Sequence, residues 1–184
     1  MAKIVLLLVV IVILTACVRL AFLRFYRSAY PVHFRATVTE YSEKNNLPPS
    51  LVYAVIRTES GFDPYARSHV NAYGLMQITE DTFRWAQFRE QDSSRLPVEA
   101  LYDSAVNIRY GTAILCILIE EFGSLENALC AYHAGRGKLR EWLSDPELSQ
   151  DGANISHIPS GVTAHYVDRV LSTKEIYERL YTFE

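Results

Sequence analysis

Apolar positions fall into two regimes along this chain. From Ile4 to Val18 they run unbroken for 15 residues, with Thr15 as the one polar interruption. Beyond residue 33 they recur three and four apart, the spacing that lines up one face of an α-helix. That period predicts helices over Phe34–Lys44, Leu51–Glu59, a stretch from Thr79 to about Phe88, Ala105–Phe122, Leu125–Ala134, Arg136–Leu143 and Val162–Tyr181. The boundary residues agree. Pro48 and Pro49 suit a first helical turn. Thr79, Asp103 and Ser124 are N-caps, whose side-chain oxygens take up free N–H groups. Gly123 ends the long helix, which is apolar on nearly every side from Ile114 to Ile119 and is therefore expected at the centre of the core. Gly61–Tyr73 and Asp145–Ser156 read as polar loops. No stretch alternates with period two for long enough to demand a sheet. The expected fold class is mainly α, with one domain over residues 34–184 behind a connector at 24–33.

The first 23 residues read as a membrane segment. Ile4–Val18 is short of the roughly 20 residues a bilayer span needs, but apolar character resumes after Arg19 through Leu20–Leu23. An uncleaved signal anchor fits this pattern. So does a lipoprotein signal, because Leu14-Thr15-Ala16-Cys17 has the small-residue form of a lipidation box, which would make Cys17 the lipid-bearing residue. A buried core helix is the third reading. Arg19, Arg24 and Arg27 follow the segment and Lys3 precedes it, so the positive-inside rule taken alone favours a cytoplasmic C-terminus.

Composition narrows the classes. With 184 residues and 49% hydrophobic content, the chain can bury a core and is not disordered. The formal net charge is −3, unevenly spread. Residues 1–30 carry four basic residues and no acid, which leaves 14 basic against 21 acidic residues beyond them. So acidic a domain has no electrostatic footprint for nucleic acid. Cys116 and Cys130 lie in apolar surroundings and read as small buried hydrophobes, or as a disulfide pair outside the cytoplasm. No cysteine or histidine spacing suggests a metal site.

One carboxylate falls where structure alone would not put it. At 100° per residue, Val52, Val55, Ile56 and Glu59 lie at about 0°, −60°, +40° and −20° around a helix. Glu59 thus sits in the middle of an apolar face, where an ionised side chain needs a partner. It either reaches solvent at the helix end, or pairs with Arg57 or Arg67, or is a carboxylic acid whose pKa is raised by desolvation, poised as a general acid.

The surrounding motifs favour the last. Glu59-Ser60-Gly61-Phe62, Ala66-Arg67-Ser68 and Gly74-Leu75-Met76-Gln77-Ile78 resemble the signature of the family 1 lytic transglycosylases, which share the goose-type lysozyme fold. Ala131-Tyr132-His133-Ala134-Gly135 resembles the family's Ala-Tyr-Asn-Ala-Gly segment. Ile158-Pro159, Thr163 and Tyr166-Val167 resemble its closing motif. The resemblance covers about residues 36–181 and implies a helical, lysozyme-like domain with a saccharide groove. Position by position it implies that Glu59 is the catalytic acid and that Ser60 helps to hold it. It places Met76 and Gln77 along the sugar site, and Tyr132 and Tyr166 in the groove. Three positions depart from the pattern: His133 stands for Asn, Val162 for Glu, and Asn71 for Gly. Asn tolerates the positive φ that Gly would supply, and His133 can still exchange hydrogen bonds with a sugar.

The reaction the resemblance implies needs one acid and neither metal nor cofactor. Glu59 protonates the glycosidic oxygen between N-acetylmuramic acid and N-acetylglucosamine. It then takes the proton from the C6 hydroxyl, and a 1,6-anhydro ring closes. The partners are peptidoglycan glycan strands and the membrane. Such a substrate places the domain outside the cytoplasm, against the arginine count. A lysozyme-type hydrolase, with Asp63 or Asp81 as second carboxylate, and a weakly active glycan-binding module are the alternatives.

Overall fold

The computed structural model describes residues 2–183. Its elements in chain order are helices α1 (Ala2–Ala29), α2 (Arg35–Lys44) and α3 (Pro49–Glu59), strands β1 (Ala72–Tyr73) and β2 (Ile78–Thr79), and then α4 (Glu80–Arg89). A 3-10 turn (Val98–Tyr102) leads to α5 (Ser104–Phe122), α6 (Leu125–Ala134), α7 (Arg136–Ser144) and α8 (Gly161–Leu180). The expected caps are in place. The Thr79 hydroxyl accepts from the Thr82 N–H, the Asp103 carboxylate from those of Ala105 and Val106, and Ser124 from that of Asn127. Gly123 turns the chain out of α5 at φ 73°, a conformation that is cheap only without a Cβ.

Helix α5 is the spine of the domain. Ile108, Tyr110, Ile114, Leu115 and Leu118 are buried along it, and α2, α4 and α6 pack around it. Helix α3 lies against α8. The short antiparallel β1–β2 pair forms inside a region whose composition shows only a loop. Its turn is fastened to α5 by the buried Asn107, whose amide donates to the carbonyls of Tyr73 (2.9 Å) and Leu101 (2.8 Å) and whose oxygen accepts from the Met76 N–H (2.8 Å). Gly111, one turn further on, leaves room for the Met76 side chain; a Cβ there would overlap the sulfur.

Two expectations change. The connector expected at 24–33 is helical as far as Ala29, because nothing before Pro31 breaks a helix. The thiols of Cys116 and Cys130 are free; Cys130 is buried as expected, whereas Cys116 is only half-buried and turns toward Glu120. Helix α1 buries none of its residues, so it is not a core helix, and its mean hydropathy of 3.0 over 18 residues suits a bilayer. Only its end meets the domain. The Tyr181 hydroxyl reaches the Tyr30 carbonyl (2.8 Å), and the Tyr177 hydroxyl reaches that of Pro31 (2.9 Å). Tyr30 stacks edge-on to Tyr177 and lies under the Arg57 guanidinium, 4.2 Å from ring centre to charge.

Candidate active site

Glu59 is the last residue of α3. The face it shares with Val52, Val55 and Ile56 is buried, and Glu59 itself is half-buried where that face opens. The arginines eligible to pair with it point elsewhere: Arg57 onto Tyr30, and Arg67 onto Tyr73 and the Asn71 side chain. Burial pushes the Glu59 carboxyl up to about 7. The Tyr166 hydroxyl and the Arg169 charge act in the opposite sense, but more weakly. A group with that value is largely protonated in mildly acidic solution and about half protonated at neutrality, and the protonated form is the one a general acid must start from.

Two phenols flank it. Tyr166, from α8, is buried with its hydroxyl near the carboxyl, yet that hydroxyl completes no hydrogen bond among the described residues. The contact is an approach rather than a formed bond. Tyr132, from α6, donates to the Met76 carbonyl at 2.7 Å. Burial, reinforced by the charge of Glu59, raises both phenols well above the usual tyrosine range, so both keep their protons. Neither can replace Glu59 as a base.

The other residues singled out from the sequence divide by role. The Ser60 hydroxyl lies 3.2 Å from the Ile56 carbonyl and 2.8 Å from that of Leu75, tying the end of α3 to the β1–β2 turn. Gln77 adopts φ 47° and its amide donates to the carbonyls of Gly74 and Ala66, so it braces that turn from inside. The Met76 side chain corrects an expectation. It is fully buried against Gly111 and does not face a groove; its carbonyl accepts from Tyr132. His133 is exposed on one side, stacks on Tyr166 at 4.5 Å and meets the Thr163 hydroxyl through Nδ1 at 3.1 Å. Burial lowers its pKa, which favours the neutral ring. Val162 is 72% exposed in the first turn of α8. Asn71 stands at φ 57°, the conformation that glycine would supply.

A cavity of about 270 Å³ opens on the side of Tyr132 and Gln77, without Glu59 in its lining. Its polar and aromatic walls include Gln77, Asp81, Trp85, Tyr132 and Arg136, over a floor of Ile114 and Leu118. Arg136 lies over the Trp85 ring at 4.5 Å and is held there by Glu121. An apolar floor with aromatic walls and a few polar groups is the usual make-up of a small-molecule site. Neither candidate second carboxylate perturbs Glu59. Asp63 is turned onto the Tyr65 N–H at 2.9 Å, and Asp81 is exposed on the first turn of α4. Sequence reasoning missed Asn107, Trp85 and Arg169. A lone amide within an apolar helix was the one available signal for Asn107; the other two had none.

Known proteins resemble this chain over most of its length. A family model described as the transglycosylase SLT domain matches residues 36–154. The membrane-bound lytic murein transglycosylase C of Klebsiella pneumoniae is 32% identical over 163 residues, covering 77% of this chain and 45% of that protein. The protein of the same name from Yersinia enterocolitica is 32% identical, with 77% and 46% covered. Among solved structures, an inactive mutant of the lytic transglycosylase Slt from Pseudomonas aeruginosa superposes with a TM-score of 0.70 at 31% identity, over 82% of this chain and 25% of that one. The 70 kDa soluble lytic transglycosylase of Escherichia coli superposes with a TM-score of 0.74 at 26% identity, over 84% and 25%. The chain thus spans about half the length of these curated relatives and a quarter of these structures.

Proposed function

Because the chain belongs to the transglycosylase SLT family, we propose that it cleaves the N-acetylmuramic acid–N-acetylglucosamine bond of peptidoglycan as a lytic transglycosylase. One observation carries the reading: a single carboxyl, raised to about 7, stands at the mouth of an apolar face with no second carboxylate acting on it. A glycosidase that uses water needs a pair. One group suffices if the substrate supplies its own nucleophile. Glu59 first donates its proton to the glycosidic oxygen, and the bond to the muramyl C1 breaks. The acetamido group of the same sugar shields the cation that develops. Glu59, now a carboxylate, removes the proton from the C6 hydroxyl, and the oxygen closes on C1 as a 1,6-anhydro ring. The proton returns to Glu59, so the cycle balances without metal or cofactor. Tyr132 and Tyr166 keep their protons throughout and can donate to the acid or to the sugar.

Ser60, Gln77 and the Met76 carbonyl, with His133 above Tyr166, form the supporting wall of the sugar site in this reading. The domain works outside the cytoplasm on glycan strands, held to the membrane by α1 as a signal anchor or by a lipid on Cys17. The exposed, apolar α1 and the membrane-bound relatives support the attachment to a membrane. The test is the product. Digested peptidoglycan is expected to yield muropeptides ending in 1,6-anhydro-N-acetylmuramic acid, lighter than hydrolysis products by one water. Glu59→Gln is expected to lower turnover at least 10²- to 10⁴-fold, the usual loss with a general acid–base. Reducing ends as the main product would instead favour the hydrolase.

A further inference from the structure

Where a helix ends, its last carbonyls lose their helical partners. In α3 the carbonyls of Ile56 and Arg57 are taken by the N–H groups of Ser60 (3.1 Å) and Gly61 (3.2 Å). The Thr58 carbonyl, next to Glu59 in the chain, accepts instead from the Arg169 guanidinium, which reaches across from α8 at 2.7 Å. Among the described residues Arg169 forms no ion pair. It follows Tyr166 by three residues and so lies on the same face of α8. From there its charge acts on both the Glu59 carboxyl and the Tyr166 phenol.

The groups facing Glu59 are few. Helix α8 presents Tyr166 and Arg169, and α6 presents Tyr132. The β1–β2 turn brings the Leu75 and Met76 carbonyls, occupied by Ser60 and Tyr132. His133 stacks behind Tyr166, and Arg57, on the same helix as Glu59, is engaged with Tyr30. Among the described residues, Arg169 is therefore the positive charge that acts on Glu59.

We propose that Arg169 is a positioning residue for the reaction: it closes the last turn of α3, fixes the Glu59 carboxyl beside Tyr166, and keeps the carboxylate form within reach. The inference rests on Glu59 being the acid. Desolvation by itself makes a good proton donor and a costly carboxylate. The second half of the reaction needs that carboxylate as a base. A fixed cation one turn from Tyr166 offsets part of the cost, and a donor on the Thr58 carbonyl holds the turn that aims the group.

The test compares Arg169→Met, Arg169→Lys and Arg169→Gln with the parent, as full chains in detergent on peptidoglycan, with thermal melting as a folding check. Loss of activity as pH rises reports deprotonation of the acid. Removing a nearby positive charge raises the Glu59 pKa, so this descending limb of kcat/KM moves to higher pH. For Arg169→Met the expected shift is about half a unit, small because the arginine is exposed, with kcat lowered roughly tenfold by loss of alignment. Lysine keeps both charge and donor and should restore the limb and most of kcat. Glutamine keeps a donor without the charge and should shift the limb while sparing kcat, which keeps the test open if the methionine variant fails to fold. An unmoved limb in both Met and Gln variants, or a kcat loss that lysine does not rescue, overturns the assignment. Glu59→Gln separates the two levels. If it turns over like the parent, the acid itself is misassigned. If it is inactive while Arg169→Met behaves like the parent, only the role of Arg169 fails.

Discussion

Replacing Glu59 by Gln should stabilise the protein, and only at the right pH. Burial lifts the carboxyl from 4.5 to about 7. Each unit is worth about 1.4 kcal/mol, so ionising Glu59 costs the folded state about 3 kcal/mol more than it costs the unfolded chain. Water at the rim of this half-buried group screens part of that, leaving about 1–2 kcal/mol. The sign follows from the direction of the shift. Below pH 4.5 both states hold the proton and there is no penalty. Between pH 4.5 and 7 the unfolded chain ionises while the folded protein does not, so stability falls as pH rises. Above pH 7 both are ionised and the full penalty applies. The Glu59→Gln variant has the same shape and no ionisable proton, so it escapes the penalty. Its melting temperature relative to the parent should rise by about 2–8 °C between pH 4 and pH 8, at about 2–4 °C per kcal/mol for a domain of this size. Thermal melting by circular dichroism across that range measures the difference directly. A gap between variant and parent that stays constant with pH would refute the claim that Glu59 is held in a desolvated setting, and an advantage for the parent at pH 8 would reverse its sign.

Two further outcomes can be checked. Asn107→Ala removes three hydrogen bonds to buried backbone groups, and should cost about 3–5 kcal/mol in denaturant unfolding while also lowering activity, because the turn bearing Met76 and Gln77 comes loose; a loss below 1 kcal/mol would mean that the turn holds itself. For the anchor, removing residues 1–23 should release a soluble domain with the parent's melting temperature, whereas removing 1–30 also strips Tyr30 from Arg57, Tyr177 and Tyr181 and should cost about 1–2 kcal/mol. Cys17→Ser should leave membrane retention and size unchanged if α1 is the anchor, accumulation of an unprocessed precursor would show a lipoprotein instead, and parent protein found free in the cytosol would contradict both.

Much of this protein is local and therefore legible in its sequence. Helix starts depend on a capping oxygen beside a free N–H, and Thr79, Asp103 and Ser124 announce theirs without reference to anything distant. The period that buries Val52, Val55 and Ile56 also lands Glu59 on the same face, so the candidate acid is visible before any tertiary contact is known. The motif order around Glu59, Tyr132 and Tyr166 carries the family. What the sequence leaves undecided are partnerships across long separations, because periodicity places a residue on a face but does not say which other face it will meet. Met76 illustrates this: its place in the motif suggested a groove wall, and the room left by Gly111 draws its side chain into the core. Arg57 and Arg67 were equally eligible partners for Glu59 until folding engaged them with Tyr30 and Tyr73. The pKa of Glu59 belongs to the same class. Desolvation depends on how α6 and α8 close over the end of α3, and the Arg169–Thr58 contact that offsets it spans 111 residues of chain. Local physics marked the candidate acid; the packing of three helices decided that its pKa would rise toward neutrality.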